Sequence, residues 1–271
     1  MLKKKLIDCF PLYGIILIVW IHLYTPSKEY VRYKVDVKPI CKSLNSSYNT
    51  STENISWEVL EHQIRNVLPG GLYTPNDCIP RWRVAIIVPY RDRENHLKVF
   101  LKNIHTFLQL QKVDYGIFVI EMEASKPFNR GLLMNVGFNE SLRLHNYNCF
   151  IFHDVDLIPR NIKNTYSCDD RPKRMVSINN ERNYTGTDYF GGVNAFSKNQ
   201  FIRVNGFPNL YRGWGREDTD LYHRVLNAKL TVQKLPPDIG RYTNLRHAQA
   251  SLASEKYYVL TFLFKYSLYK K

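Results

Sequence analysis

Cys149-Phe150-Ile151-Phe152-His153-Asp154-Val155-Asp156 is an apolar run that leads directly into two carboxylates one residue apart. A buried strand ending in Asp-x-Asp places a negative pair at the carboxyl edge of a sheet, where open α/β sheets bind their ligands. Two hard oxygen donors at that edge suit a divalent cation that holds a diphosphate. Alternation along a strand predicts that Asp154 and Asp156 point to one face, one toward sugar or ribose hydroxyls and the other toward the metal.

Upstream, Val84-Ala85-Ile86-Ile87-Val88 is a short β-branched run closed by Pro89, the profile of a buried parallel strand. Apolar residues at 97, 100, 101, 104, 107 and 108 predict a helix from His96 to Leu110. Tyr115 to Met122 reads as the next strand. Gly131 to Leu144 reads as a second helix, with Leu132, Leu133, Val136 and Leu144 inward. Strand, helix, strand, helix, strand predicts a right-handed parallel α/β arrangement. Beyond Asp156 the pattern is shorter: a strand over Val193 to Phe196, a helix over Lys198 to Val204, a loop at Gly213-Trp214-Gly215 and a helix from Glu217 to Leu226.

The chain carries 38 Lys and Arg against 24 Asp and Glu, a net charge of +14. These basic residues are dispersed, with no long run and no nucleic-acid motif, so nucleic-acid binding is excluded as the reading. Lys3-Lys4-Lys5 precede a mostly apolar stretch from Leu6 to Tyr24, and no small-x-small cleavage site follows. That predicts an uncleaved anchor with its N-terminus in the cytoplasm, although Lys28, Arg32 and Lys34 lie on the far side. Residues 1–24 then form tail and anchor, 25–68 a stem, and 69–271 the folded domain, entered through Pro69-Gly70-Gly71. Cys9 falls in the anchor. The other four cysteines, Cys41, Cys78, Cys149 and Cys168, are an even set that predicts two disulfides in a lumenal setting. N-x-S/T sequons occur at Asn45, Asn49, Asn54, Asn139 and Asn183, and the first three cluster as a glycosylated stem would.

Four further segments carry chemistry. Pro89-Tyr90-Arg91-Asp92-Arg93 follows the first strand: the proline is expected to stop the ladder, Tyr90 to stack on a base, Arg91 and Arg93 to fork onto phosphate or pair with acids. Phe128-Asn129-Arg130 opens a helix, where Arg130 makes an anion site and Asn129 a cap. Gly191-Gly192, behind Tyr189-Phe190, permits close approach to backbone. In Gly213-Trp214-Gly215-Arg216-Glu217-Asp218 an indole offers a sugar platform, and Asp218 a carboxylate able to take a proton from a hydroxyl nucleophile. His247 is a candidate third metal ligand.

Together these segments resemble the β-1,4-galactosyltransferase family from about Gly70 to His247. The resemblance lies in Gly71 to Cys78, Val84 to Arg93, Phe128-Asn129-Arg130, Leu133 to Phe138, His153 to Pro159, Tyr189 to Val193, Asn205 to Pro208 and Gly213 to Asp218, in the same order and spacing. It implies a GT-A-like fold, a Rossmann-like nucleotide half with mixed sheet joined to an acceptor half, on an N-terminal anchor. It also implies a Golgi type II membrane enzyme that uses UDP-galactose and Mn2+ and moves galactose, with inversion, to the 4-hydroxyl of a terminal sugar acceptor, commonly N-acetylglucosamine. Xylose in the proteoglycan linker, or a non-catalytic relative that binds UDP or glycan, are the alternatives. By resemblance, Pro89, Tyr90, Arg91, Arg93, Phe128, Arg130, Asp154, Val155, Tyr189, Gly192 and Trp214 hold the UDP-sugar, with Tyr189 favouring galactose. Asp218 is the base, helped by Glu217; Trp214, Gly215, Glu217 and Asp218 face the acceptor; Asp156, His247 and Asn244 face the metal. The implied disulfides are Cys41–Cys78 and Cys149–Cys168. The chain departs from the family at Arg212, where tryptophan is usual, at Thr219, where an acid is, and at Asn244, where a methionine ligand is. Only 24 residues follow His247, fewer than the family carries, which predicts a shortened C-terminal part.

Overall fold

The computed structural model describes residues 38–42, 48–64, 66–213 and 215–247. The expected anchor, the Asn45 sequon, Trp214 and the terminal stretch beyond His247 lie outside the described residues. The chain order is α1 (Trp57–Gln63), β1 (Leu72–Tyr73), β2 (Arg83–Tyr90), α2 (Glu94–Leu110), β3 (Asp114–Glu121), α3 (Arg130–Leu144) and β4 (Cys149–His153). There follow β5 (Leu157–Pro159), β6 (Lys173–Arg174), β7 (Val193–Ser197), α4 (Lys198–Arg203), α5 (Glu217–Asn227), β8 (Gln233–Lys234) and β9 (Tyr242–Asn244).

The β-branched run in β2 is fully enclosed from Val84 to Val88, and β2 pairs in parallel with β3 on one side and β4 on the other. The spatial order is β1-β3-β2-β4-β7-β6-β8, and β7 runs antiparallel to β4, so the sheet is mixed. The chain goes from β2 to β3 on one flank and returns to β4 on the other. Their carboxyl ends therefore flank a topological switch point, the place where such sheets open a ligand crevice.

Period-two alternation sends the two sets of β2 side chains to opposite layers. Val84, Ile86 and Val88 pack with Phe100, Ile104, Phe107 and Leu108 of α2. Ala85 and Ile87 pack with Phe150 and Phe152 of β4, Met134 and Phe138 of α3, and Phe201 and Phe207. Burying an aromatic or aliphatic side chain of this size stabilises by about 2 kcal/mol, so this second, phenylalanine-rich layer fixes how α3 and the segment after α4 sit on the sheet. Phe152 stacks on Phe201 at 4.4 Å, and Phe138 approaches Phe150 at 4.5 Å.

Three expectations are corrected. Pro89 does not end β2: the strand runs on to Tyr90, opposite Glu121, while pairing with β4 stops at Ile87 opposite Phe152. A residue without an N–H is tolerated where one neighbour has already left the ladder. In α3, Val136 and Leu144 point outward, 38% and 66% exposed, and the inward face is Gly131, Leu133, Met134, Gly137, Phe138 and Ser141. The small residues choose that face, because a Cβ on Gly137 would lie 2.4 Å from Ile87 Cγ2. Finally, β4 ends at His153, so Asp154 and Asp156 stand on a turn before β5 rather than on the strand.

Both expected disulfides are present, Cys41–Cys78 and Cys149–Cys168. Residues read as stem lie against α2: Asn103 Nδ2 donates to the Ser51 carbonyl at 2.7 Å, and Trp57 Nε1 to Glu94 Oε1 at 2.9 Å. Among the described residues no helix is long and apolar enough to cross a membrane.

Candidate active site

The turn after β4 is held from three directions. The Asp154 N–H donates to the Gly192 carbonyl at 3.0 Å. The Leu245 N–H donates to the Asp156 carbonyl at 2.7 Å, as β9 pairs with β5. Between them, His153 Nδ1 meets the Asp154 carbonyl at 2.8 Å. A carbonyl only accepts, so Nδ1 carries the proton, and Nε2 accepts from the Tyr166 hydroxyl at 2.8 Å. The Tyr166 oxygen in turn meets the Tyr242 hydroxyl at 3.1 Å, which accepts from Asn164 Nδ2 at 3.1 Å. Burial pushes His153 down to about 4, so the ring stays neutral. Sequence reading passed over this chain: a polar residue closing an apolar run was its only signal.

Arg130 comes from the first turn of α3, beside the Asn129 cap, whose Oδ1 accepts from the Leu132 N–H at 2.9 Å. Its Nε donates to Asp154 Oδ1 at 2.7 Å, and its Nη1 lies 3.6 Å from Glu217 Oε1 at the start of α5. Burial opposes the guanidinium charge, but Asp154, Glu217 and Asp218 outweigh it and raise its pKa. Burial likewise raises Glu217, against the pull of Arg130. Asp154 is raised by burial, and both Asp156 and Asp218 act on it in the same sense, while Arg130 opposes them. Among the described residues, Arg130 Nη1 and Nη2 and Glu217 Oε2 are buried without a hydrogen-bond partner. Groups of that kind cost free energy unless a ligand pairs with them.

Asp218 follows in the same helical turn. Its Oδ1 accepts from the Thr219 N–H at 2.8 Å, while its Oδ2 lies so near Gly191 that a Cβ there would be 2.5 Å away. The same imagined Cβ would meet the Tyr189 hydroxyl at 2.7 Å. The paired glycines thus bring backbone close to Asp218 and Tyr189. Tyr189 stacks on Tyr184 at 4.0 Å, and the buried Arg174 holds its segment by donating to the carbonyls of Thr187 and Tyr189 at 3.1 and 3.2 Å. Arg174 is a second residue that sequence reading missed.

On the other flank, Asp156 Oδ2 receives a 2.6 Å hydrogen bond from His247 Nε2, and Arg93 Nη2 donates to His247 Nδ1 at 3.1 Å. Arg91 donates to the Lys126 carbonyl at 2.7 Å and lies over the Phe128 ring at 5.1 Å. Asp156 and His247 place a carboxylate oxygen and an imidazole nitrogen side by side, a mixed donor pair that fits a divalent transition metal such as manganese better than magnesium. Among the described residues no third His, Cys, Asp or Glu completes a cluster with them. Asn244 Nδ2 donates to Glu181 Oε2 at 2.8 Å. The glycines beside Trp214 both have positive φ, +87° and +105°.

A family model described as the N-terminal region of glycosyl transferase group 7 matches residues 38–169. Another, described as the N-terminal domain of galactosyltransferase, matches residues 172–248. Beta-1,4-galactosyltransferase 4 of Rattus norvegicus is 49% identical over 181 residues, 66% of this chain and 53% of that protein. Beta-1,4-galactosyltransferase 1 of Bos taurus is 45% identical over 197 residues, 72% of this chain and 49% of that protein. The chain thus spans about half the length of the curated relatives it matches. Among solved structures, the catalytic domain of Drosophila beta-1,4-galactosyltransferase 7 in complex with xylobiose aligns with a TM-score of 0.55 at 31% identity, covering 65% of this chain and 73% of that one. A mutant of the same enzyme, in complex with manganese, UDP-Gal and xylobiose, gives 0.54 at 29%. The GT-A-like mixed sheet, the switch point and the carboxylates at both ends of the site fall inside these matches, and the chain belongs to the β-1,4-galactosyltransferase family.

Proposed function

We propose that this chain transfers galactose from UDP-galactose, with inversion, to the 4-hydroxyl of a terminal sugar, N-acetylglucosamine in the first instance. The observation that carries the reading is the convergence of Asp154, Glu217 and Asp218 on Arg130, whose outer nitrogens have no hydrogen-bond partner among the described residues. An anionic donor paired with a polyhydroxylated sugar satisfies such a set. Arg91, Phe128 and Arg93 line the carboxyl end of β2, where the uracil and diphosphate would lie, along with Pro89, Tyr90 and Val155. Asp156 and His247 would hold a divalent cation, Mn2+ in this reading, which when bound supplies positive charge to the departing diphosphate.

The protein's own part is positioning and proton transfer. Thr219 occupies Oδ1 of Asp218, which leaves Oδ2 to take the proton of the acceptor hydroxyl. The acceptor oxygen, losing that proton, forms its bond to the anomeric carbon as the bond to UDP breaks and the electron pair leaves with UDP. One displacement without an enzyme nucleophile inverts the centre. Arg130, buried and held charged, stabilises the developing negative charge, and preorganised charges of this kind are the largest usual contribution to rate. Trp214 and Gly215 would carry the acceptor ring, and Tyr189 and Gly192 would shape the galactose pocket. The placement that goes with this chemistry is a Golgi type II membrane protein with the domain in the lumen.

Xylose is the second acceptor to test, favoured by the solved relative that binds xylobiose. Purified protein given UDP-galactose and Mn2+ should transfer to N-acetylglucosamine, or to xylose if the second reading holds. Asp218→Asn should lower transfer by about 100-fold or more while UDP titration is unchanged. Lack of turnover with both acceptors would leave a UDP- or glycan-binding relative and reject the enzyme.

A further inference from the structure

The segment from Ile178 to Asn183 is a small hairpin: the two residues bridge in antiparallel sense, and the Asn179 N–H donates to the Arg182 carbonyl at 2.9 Å. Its tip grips β9 through Asn180 and Glu181, both bonded to Asn244. Directly after it, Tyr184 stacks on Tyr189. Asn183-Tyr184-Thr185 is an N-x-T sequon. We propose that Asn183 carries an N-linked glycan, planted at the rim of the candidate active site.

The local geometry distinguishes this sequon from the others described. Asn183 and Thr185 are both exposed. Asn183 Oδ1 accepts from the Thr185 N–H at 2.9 Å and from its hydroxyl at 2.6 Å. The carbonyl side of the amide is thereby occupied within the sequon, and among the described residues Nδ2 has no partner. Asn139 is different: its sequon is wound into α3, and the Ser141 hydroxyl is buried and donated to the Phe138 carbonyl at 2.9 Å. The hydroxyl of Ser56, in the Asn54 sequon, caps α1 by accepting from the Val59 N–H. Ser51, in the Asn49 sequon, is tied to Lys102 and Asn103 of α2. Of these, only the Asn183 sequon has both its asparagine and its hydroxyl residue exposed with their side-chain hydrogen bonds confined to the sequon.

The two disulfides place folding in an oxidising compartment, where an oligosaccharide on a lipid diphosphate is the co-substrate. The bond formed joins the Asn183 amide nitrogen to the first sugar carbon. The bond from that carbon to the lipid diphosphate breaks, and the amide proton leaves. A glycan there stands next to Tyr184, which stacks on Tyr189, and beside the hairpin bonded to Asn244.

This proposal rests on the lumenal placement given above, and one experiment separates the two. The full chain is expressed in animal cells, purified, and released from N-glycans by a peptide amidase in heavy-oxygen water, so that each former glycan site is marked as labelled aspartate in peptide mass spectrometry. Asn183 is expected to be marked in most molecules, more than Asn139, and Asn183→Gln and Thr185→Ala should each remove one glycan step from the protein's mobility. An unmarked Asn183 beside marked Asn49 or Asn54 overturns the proposal and leaves lumenal placement intact. Absence of marking at every sequon overturns both.

Discussion

A methyl group at Gly191 would lie 2.5 Å from Asp218 Oδ2 and 2.7 Å from the Tyr189 hydroxyl. Both are side-chain ends and can yield, so Gly191→Ala should fold with little loss of thermal stability. What yields, however, is the proposed base. A displacement near 1 Å at a reacting group costs about 100-fold in rate, and that loss is expected with UDP affinity unchanged; a wild-type rate would detach Asp218 from the reaction. Much at this scale was legible beforehand. Asp154, Asp218 and Arg130 stand out as charges set at the ends of apolar or helical runs, and the fold brings them together. The partner of the Asn244 amide was not legible, because Glu181 lies 63 residues earlier. His153 and Arg174 were invisible for a related reason: a buried polar side chain satisfied by distant carbonyls and hydroxyls leaves no periodic trace.

Most elements of five residues or more were read correctly, β7 and α4 included, and the strands of two or three residues were not. β2, β3, β4 and α2 each carry enough buried residues to impose a period, whereas β6 and β8 are two residues each: β6 forms on the edge that β7 offers, and β8 in turn on β6. The inward face of α3 was misread because glycines, which carry no hydropathy signal, choose it. Between β4 and β9 the decisive link is the chain of hydrogen bonds from His153 through Tyr166 to Tyr242. It ties the strand that leads into Asp156 to the strand that leads into His247. Tyr242→Phe removes a link while keeping the ring. The expected cost is about 1–3 kcal/mol of stability, together with about a tenfold loss of Mn2+ affinity, in the range seen when groups supporting metal ligands are removed. Electron paramagnetic titration of Mn2+ reads the second effect directly, and unchanged affinity in a folded variant would show that the two strands are not coupled through this chain.

For the molecule as a whole, acid sensitivity follows from what is buried. Burial pushes His105 down to about 4, in contact with the Tyr115 hydroxyl at 2.7 Å, and does the same to His153. An unfolded imidazole takes its proton near pH 6.5, so below that the unfolded chain holds protons the folded one refuses. Stability from these rings is complete above about pH 6.5 and drains away toward about pH 4, by about 3 kcal/mol per ring. Glu217, raised by burial to about 7, acts oppositely, since its folded form keeps a proton that the unfolded chain has lost. The difference between wild type and His105→Gln isolates one ring: denaturant midpoints should fall less steeply with acid in the variant, and parallel curves would remove His105 from the account. The site also draws on segments strung from Arg91 to His247, and the β5–β9 pairing that closes it uses almost the last of the described residues. A nascent polypeptide leaving the ribosome can therefore lay down β2, β3 and β4 early, yet it stays chemically mute until the closing strand emerges. On the proposed reading, a chain still being made spends no nucleotide sugar.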